Sequence, residues 1–265
     1  MTSTRLDPRR LKATVSRLGP VYRWARRGKA LGRYLARRPH DPDFRAFRHF
    51  GGRDGLFLDV GASIGQSALS FRVFNSRAPI LSVEALPSHR GDLEFVKRAI
   101  PRFDYRIAAA ADVNGTATLH VPVWRGYELP AESSLRREDA VAVLDRLRAE
   151  GATEGELRLD EVQVERRRLD ELELAPAFLK IDVEGAELGV ARGMRETLAA
   201  HRPVTMVERS ESTEELAELL APLGYSPFVY DARQDVLRGF RGQESLNVFF
   251  LVEEDRATAP VQPGP

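Results

Sequence analysis

Within 28 residues, from Phe57 to Glu84, the chain packs a buried strand, a glycine turn, a helix and a second acid-tipped strand, which leaves few folds open. Leu56, Phe57 and Leu58 form an apolar run ending in Asp59, and Gly61-Ala62-Ser63-Ile64-Gly65 supplies a tight turn. Ile64, Ala68 and Phe71 then recur on one helical face, and a second apolar run, Ile80 to Val83, ends in Glu84. A strand, turn, helix and strand in this order predict an α/β fold, with a ligand crevice at the carboxyl ends of the strands. A carboxylate at the tip of the second strand suits the two hydroxyls of a ribose, so Glu84 is a candidate for holding a nucleoside. The plain alternative is a solvated carboxylate ahead of a helix starting at Pro87-Ser88, with Asp59 satisfying turn amides.

The missing glycines narrow the ligand. A dinucleotide fingerprint places glycine at the first, third and sixth turn positions, here Gly61, Ser63 and Gln66, so two of three fail. A phosphate-binding loop ends in Gly-Lys-Ser/Thr, yet no lysine occurs between Phe57 and Lys97. An acidic residue before Gly-x-x-x-Gly remains, in which Gly61, Ala62, Ser63 and Gly65 let a ligand approach the backbone while Asp59 accepts from an amino or hydroxyl group. That suits S-adenosylmethionine, a phosphate-free nucleoside cofactor. A small-residue run at the third strand tip, including Ala110, leaves room for an adenine ring and reads equally as plain packing.

Two further strand tips are acidic. Phe178-Leu179-Lys180-Ile181 ends in Asp182, with Glu184 entering the next helix, and Pro203 to Val207 ends in Glu208. Asp182 is the leading candidate for accepting a proton, with Glu184, Lys180 and Glu208 in support. Two facing carboxylates also suit a hard cation such as Mg²⁺, but two side chains make a sparse octahedral site, and a metal-free arrangement is expected. The absence of cysteine excludes disulfides, thiolate nucleophiles and zinc–sulfur centres, and the five histidines show no metal-ligand spacing.

The remaining chain reads in order as follows. Residues 1 to 50 hold 14 Lys/Arg against 3 Asp/Glu, and Leu11, Val15, Leu18 and Tyr22 recur at helical spacing. This predicts a basic helical arm that lies on an anionic membrane surface, docks an acidic partner, or covers a sheet edge; nucleic acid is not expected. Residues 51–252 form the main domain. Tyr105 to Ala109 reads as a third strand, and Asp112-Val113-Asn114-Gly115 as a hairpin turn into Thr116 to Val121. An insertion near 122–160 carries Trp124, Tyr127 and a helix near 137–150, read as an exposed loop for acceptor recognition or as a packed lid. Ser212 to Glu215 reads as a capping box, and 253–265 as a polar, disordered tail. No apolar run approaches a membrane span or a signal-peptide core, which predicts cytoplasmic residence.

The ordered set of Phe57 to Gly65, Val83-Glu84, Ser133-Ser134-Leu135, Leu169-Asp170-Glu171-Leu172 and above all Phe178-Leu179-Lys180-Ile181-Asp182-Val183-Glu184-Gly185-Ala186-Glu187 resembles the FkbM-type S-adenosylmethionine-dependent methyltransferases. The resemblance implies a seven-stranded, mostly parallel, doubly wound Rossmann-like sheet with its last strand reversed. It also implies O-methylation of a sugar, glycan or other small-molecule acceptor, including secondary metabolites. Ser63 stands where the family commonly has asparagine, and Glu84 is separated from Pro87 by Ala85-Leu86. Two rival classes share the same strand-turn-helix: an NAD or nucleotide-sugar enzyme, and a non-catalytic scaffold that keeps the cofactor pocket.

Overall fold

The computed structural model describes residues 20–75 and 77–262. Its strands in chain order are β1 (Leu56–Val60), β2 (Ile80–Glu84), β3 (Phe103–Ile107), β4 (Ala109–Ala110), β5 (Gly115–Trp124), β6 (Tyr127–Glu128), β7 (Leu157–Arg167), β8 (Pro176–Ile181), β9 (Val204–Glu208), β10 (Ser226–Asp231), β11 (Val236–Gly239), β12 (Asn247–Leu251) and β13 (Val261–Gln262). The chain divides into two compact units, a smaller one of residues 1–30 and 117–163 and a larger one of 31–116 and 164–265.

The larger unit holds a nine-stranded sheet in the order β13-β11-β10-β12-β9-β8-β1-β2-β3. From β9 to β3 all neighbours are parallel, and β12 runs antiparallel to both β9 and β10. The strand order reverses between β1 and β8, the place where open α/β sheets leave a crevice at their carboxyl ends. Seven of the strands follow the expected pattern, with β12 as the reversed one, but the count of seven is corrected to nine. Asp231 Oδ1 accepts from the Arg233 and Gln234 amides at 3.0 and 3.1 Å, and this turn folds β11 back onto β10. The end of the chain then adds β13 beside β11.

Alternation within the strands divides the core between two faces. On one, Phe57 stacks on Phe71 of the helix Gln66–Phe74 at 4.0 Å, and Phe47 meets Phe57, Phe71, Phe178 and Phe249 edge-on at 5.3 to 5.9 Å. On the other, Leu58, Val60, Leu179, Ile181 and Val207 pack with Val190, Met194 and Leu198. Leu93 and Val96 of the helix Arg90–Ala99, and Ile100 at its end, are buried.

Several expectations need correction. The basic arm does not extend to residue 50: Pro42–Phe50 is a 3-10 helix whose Phe44, Ala46, Phe47 and Phe50 are buried, with Asp41 capping it by accepting from the Asp43 amide. Asn247 at the start of β12 donates to both Asp41 and Asp43, at 2.8 and 2.9 Å, fastening this helix to the sheet. The tail is not disordered as far as Gln262. Glu253–Thr258 is a helix whose buried Asp255 meets Arg53 at 2.7 Å. The third strand does not turn into a hairpin, because Asn114 Oδ1 accepts from the Arg168 amide and Ala109–Ala110 pairs in parallel with Arg166–Arg167. Ser212 makes no side-chain cap; Thr213 Oγ1 instead accepts from the Ser210 amide and donates to its carbonyl.

In the smaller unit, β5 pairs antiparallel with β6, and Trp124 packs with Val143 and Leu147 of the helix Arg137–Ala149. Trp124 is therefore a core residue of this unit and not an exposed loop residue. Of the basic arm, Leu11, Val15 and Leu18 lie outside the described residues, while Pro20 opens the helix Pro20–Leu35. Among the described residues no helix is long and apolar enough to cross a membrane.

Candidate active site

The carboxyl ends of β1, β2, β8 and β9 bring the sequence-derived residues together in two adjoining groups. The first is the turn after β1. Gly61, Ser63 and Gly65 are all left-handed, with φ of +84°, +50° and +82°. A left-handed serine costs about 1 kcal/mol, which the turn offsets through Glu84, whose Oε2 accepts the Ser63 amide at 2.6 Å. Glu84 Oε1 accepts from the Leu86 amide at 2.8 Å and lies 3.4 Å from Nδ1 of buried His89. Glu84 is thus held by both loops that flank its strand tip. Ala62 is buried within the turn.

Two glycines have a reason that the sequence did not reveal. A Cβ on Gly61 would lie 1.6 Å from the Asp182 carbonyl oxygen, and one on Gly65 would lie 2.8 Å from Val96 Cγ2. Gly61 therefore makes room for the backbone of β8 before it makes room for any ligand. Asp59 is also placed differently from expectation. It is fully buried, accepts from Ser82 Oγ at 2.8 Å and is the register partner of Lys180. Burial pushes its carboxyl up to about 6 against the pull of Lys180 and Ser82. Its position is that of a counter-charge beneath the site. Ala110 is packed in the apolar cluster with Val190 and Met194.

The second group is acidic. Lys180, buried, places Nζ 2.7 Å from Asp182 Oδ2. Carboxylate oxygens of Asp182, Glu184 and Glu208 lie within 4.8 Å of one another. Asp182 and Glu208 share a hydrogen bond, and burial followed by that bond and the Asp182 charge pushes Glu208 up to about 9. Burial acts to raise Asp182 as well, but Lys180 and the bond from Glu208 outweigh it and hold Asp182 below the usual range. The two carboxyls titrate as a pair, and the charge of Lys180 beside Asp182 biases the proton toward Glu208.

Sequence reasoning missed the residues that hold this group in place. Glu187 is fully buried, and its Oε1 accepts the amides of Val183 at 3.2 Å and Gly185 at 3.0 Å, fixing the loop in which Glu184 is left-handed at φ +55°. An acid in the first turn of a helix was the available signal. His40 Nδ1 shares a hydrogen bond with Ser70 Oγ at 2.7 Å, and burial followed by the charge of Lys180 pushes its ring down to about 4, so it is neutral. Its spacing from other histidines gave no warning of this.

The model of the methyltransferase FkbM domain matches residues 59–227, well over half of the chain. The chain belongs to the FkbM methyltransferase family. Among solved structures, this FkbM chain is similar to methyltransferase FkbM from Methylobacillus flagellatus KT, at 18% identity and a TM-score of 0.48, covering 75% of this chain and 44% of that one. It is also similar to a TehB-like SAM-dependent methyltransferase from Corynebacterium glutamicum, at 9% identity and a TM-score of 0.42, covering 88% and 99%. A third is a precorrin-6y C5,15-methyltransferase from Geobacter metallireducens GS-15, at 13% identity and a TM-score of 0.38, covering 78% and 83%. The chain spans less than half the length of the Methylobacillus FkbM chain. No curated protein matches it.

Proposed function

We propose that this FkbM methyltransferase transfers a methyl group from S-adenosylmethionine to a hydroxyl of a sugar, glycan or secondary metabolite, with Asp182 receiving the hydroxyl proton. The observation that carries the reading is the Lys180-Asp182-Glu208 arrangement at the tips of β8 and β9, beside a turn whose Gly61 abuts the Asp182 carbonyl.

The residues present fit the cofactor. Each Glu84 oxygen accepts one backbone amide and keeps a lone pair for a ribose hydroxyl, and no lysine stands in the turn to favour a phosphate. When bound, S-adenosylmethionine supplies an electrophilic sulfonium methyl and leaves as S-adenosylhomocysteine. The protein aligns the acceptor hydroxyl with that methyl, a contribution of roughly 7 to 11 kcal/mol in well-oriented reactions. Asp182, held low, is a weak base. Its part is to accept a hydrogen bond from the hydroxyl and to take the proton late, once formation of the C–O bond has made that oxygen strongly acidic. Lys180 keeps Asp182 ionised, and the protonated Glu208 orients it.

Three carboxylates could hold a divalent cation, but Lys180 already stands beside Asp182 as a fixed cation, 2.7 Å away, which favours a metal-free site. The test is single-turnover methyl transfer by mass spectrometry with a verified acceptor. Asp182→Asn should lose about 10²- to 10⁴-fold in rate while retaining S-adenosylhomocysteine binding, and chelator should leave the native enzyme unchanged. Full activity of Asp182→Asn would remove the base, and loss on chelation with recovery on Mg²⁺ would replace it with a metal-bound hydroxyl.

A further inference from the structure

His40 takes no part in the proton transfer to Asp182, yet it lies on the same face of the sheet. Side chains alternate along a strand, so Lys180 and Asp182 share the face of Phe178, and on β12 Asn247 shares the face of Phe249 and pairs opposite Glu208. The segment 40–50 covers that face with its rings in file: His40 is 5.1 Å from Phe44, Phe44 5.8 Å from Phe47, and Phe47 5.9 Å from Phe178. Asn247 donates to Asp41, the next residue, at 2.8 Å, which sets His40 at the carboxyl end of the sheet, and the charges of Lys180 and Asp182 both act on its ring.

Ser70 decides which ring nitrogen is protonated. Its Oγ, buried on the helix Gln66–Phe74, accepts the His40 backbone N–H at 2.9 Å and bonds Nδ1 at 2.7 Å. Among the described residues the Ser70 hydroxyl proton has only Nδ1 to receive it, so Nδ1 is the bare nitrogen and Nε2 carries the single proton of the neutral ring. Nε2 lies across the ring from Nδ1 and is directed away from that helix; among the described residues it has no hydrogen-bond partner.

We infer that His40 binds the acceptor, its Nε2–H donating to an oxygen next to the hydroxyl that is methylated. The inference rests on the proposed transfer to a hydroxyl and narrows the acceptor to a compound with two neighbouring oxygens, such as the vicinal diol of a sugar ring. The two protein groups are complementary, because an ionised Asp182 only accepts and an Nε2–H only donates. A lone alcohol would satisfy Asp182 and leave the Nε2–H unpaired in a partly buried crevice. A neutral ring also suits its place, since an imidazolium would set a second cation near Lys180.

Ring ¹⁵N spectra of the full chain with S-adenosylhomocysteine test the tautomer without an acceptor. The His40 signals, assigned by their loss in His40→Gln, should show a protonated Nε2 at pH 7; a protonated Nδ1 would overturn the inference and leave the role of Asp182 untouched. The second test measures kcat/KM by mass spectrometry on methyl glycopyranosides and catechol, each beside the analogue that lacks one hydroxyl. Removing the oxygen next to the methylated hydroxyl should cost the native chain about 10-fold, and His40→Leu should cost about 10-fold on the parent with no further loss on the analogue. His40→Gln, whose amide donates from about the place of Nε2, should recover part of the discrimination, and both variants should keep native S-adenosylhomocysteine affinity. Asp182→Asn should instead slow parent and analogue equally. Equal native rates on parent and analogue, or losses that simply add in His40→Leu, would overturn this inference alone. So would transfer to simple alcohols but to none of the diol probes, whereas no transfer to any hydroxyl compound would remove the underlying reading as well.

Discussion

Glu84 has one task in the structure and a second in the proposed function, and they can be separated by measurement. It fastens the left-handed Ser63 amide, and under the proposal it would also present a carboxylate to a nucleoside ribose. Glu84→Ala should weaken S-adenosylhomocysteine binding by roughly 1.5 to 3 kcal/mol in calorimetry. Glu84→Gln keeps one carbonyl acceptor for Ser63 and should recover thermal stability more than affinity; affinity unchanged in a folded Glu84→Ala would reduce the residue to a turn fastener. Glu208 makes a prediction about pH. Its folded-state value, about 9, lies above the ordinary 4.5, so the folded chain holds this proton more tightly than the unfolded one. The resulting stability is fully present below the ordinary value and is lost as pH rises through about 9. Asp182 is shifted downward, and its contribution is lost only on acidification, outside that window. Melting temperatures of the native protein should therefore fall more steeply between about pH 5 and pH 9 than those of Glu208→Gln; parallel curves would mean that Glu208 ionises normally.

Among the elements, the 3-10 helix Pro42–Phe50 contributes more to the core than its composition suggests. Phe47 touches four aromatic rings drawn from β1, β8, β12 and the helix Gln66–Phe74. Phe47→Ala should cost about 3 to 5 kcal/mol in urea unfolding, whereas a loss under 1 kcal/mol would show that the site collapses around the missing ring. This element was not legible because the arginines around it dominate the local charge, and a 3-10 turn lacks the periodicity by which helices are read. The parallel strands were legible for the opposite reason. Strands buried on both faces are continuous apolar runs, and in β1, β2, β8 and β9 each run closes on an acid. The acid at the end of a run could be read; its depth could not. Asp59 and Glu84 look alike in sequence, yet one lies fully buried beside Lys180 while the other accepts the backbone amides of Ser63 and Leu86, a difference set by register against neighbouring strands.

At the scale of the molecule, the matched family span ends at residue 227, yet β12 and the helix Pro42–Phe50 lie outside it and supply Phe249 and Phe47 to the aromatic core. The end of the chain misled for a related reason. Its prolines and charges read as disorder, while the Asp255–Arg53 contact and the pairing of β13 with β11 depend on partners far away in sequence. Long-range pairing also explains Gly61, whose missing side chain is filled by the carbonyl of Asp182. That contact has a bearing on descent. A mutation giving position 61 any side chain must move the strand that carries the acid, and a shift of that strand must in turn find new room at position 61. The turn after β1 and the strand tip bearing Asp182 are therefore expected to vary only together.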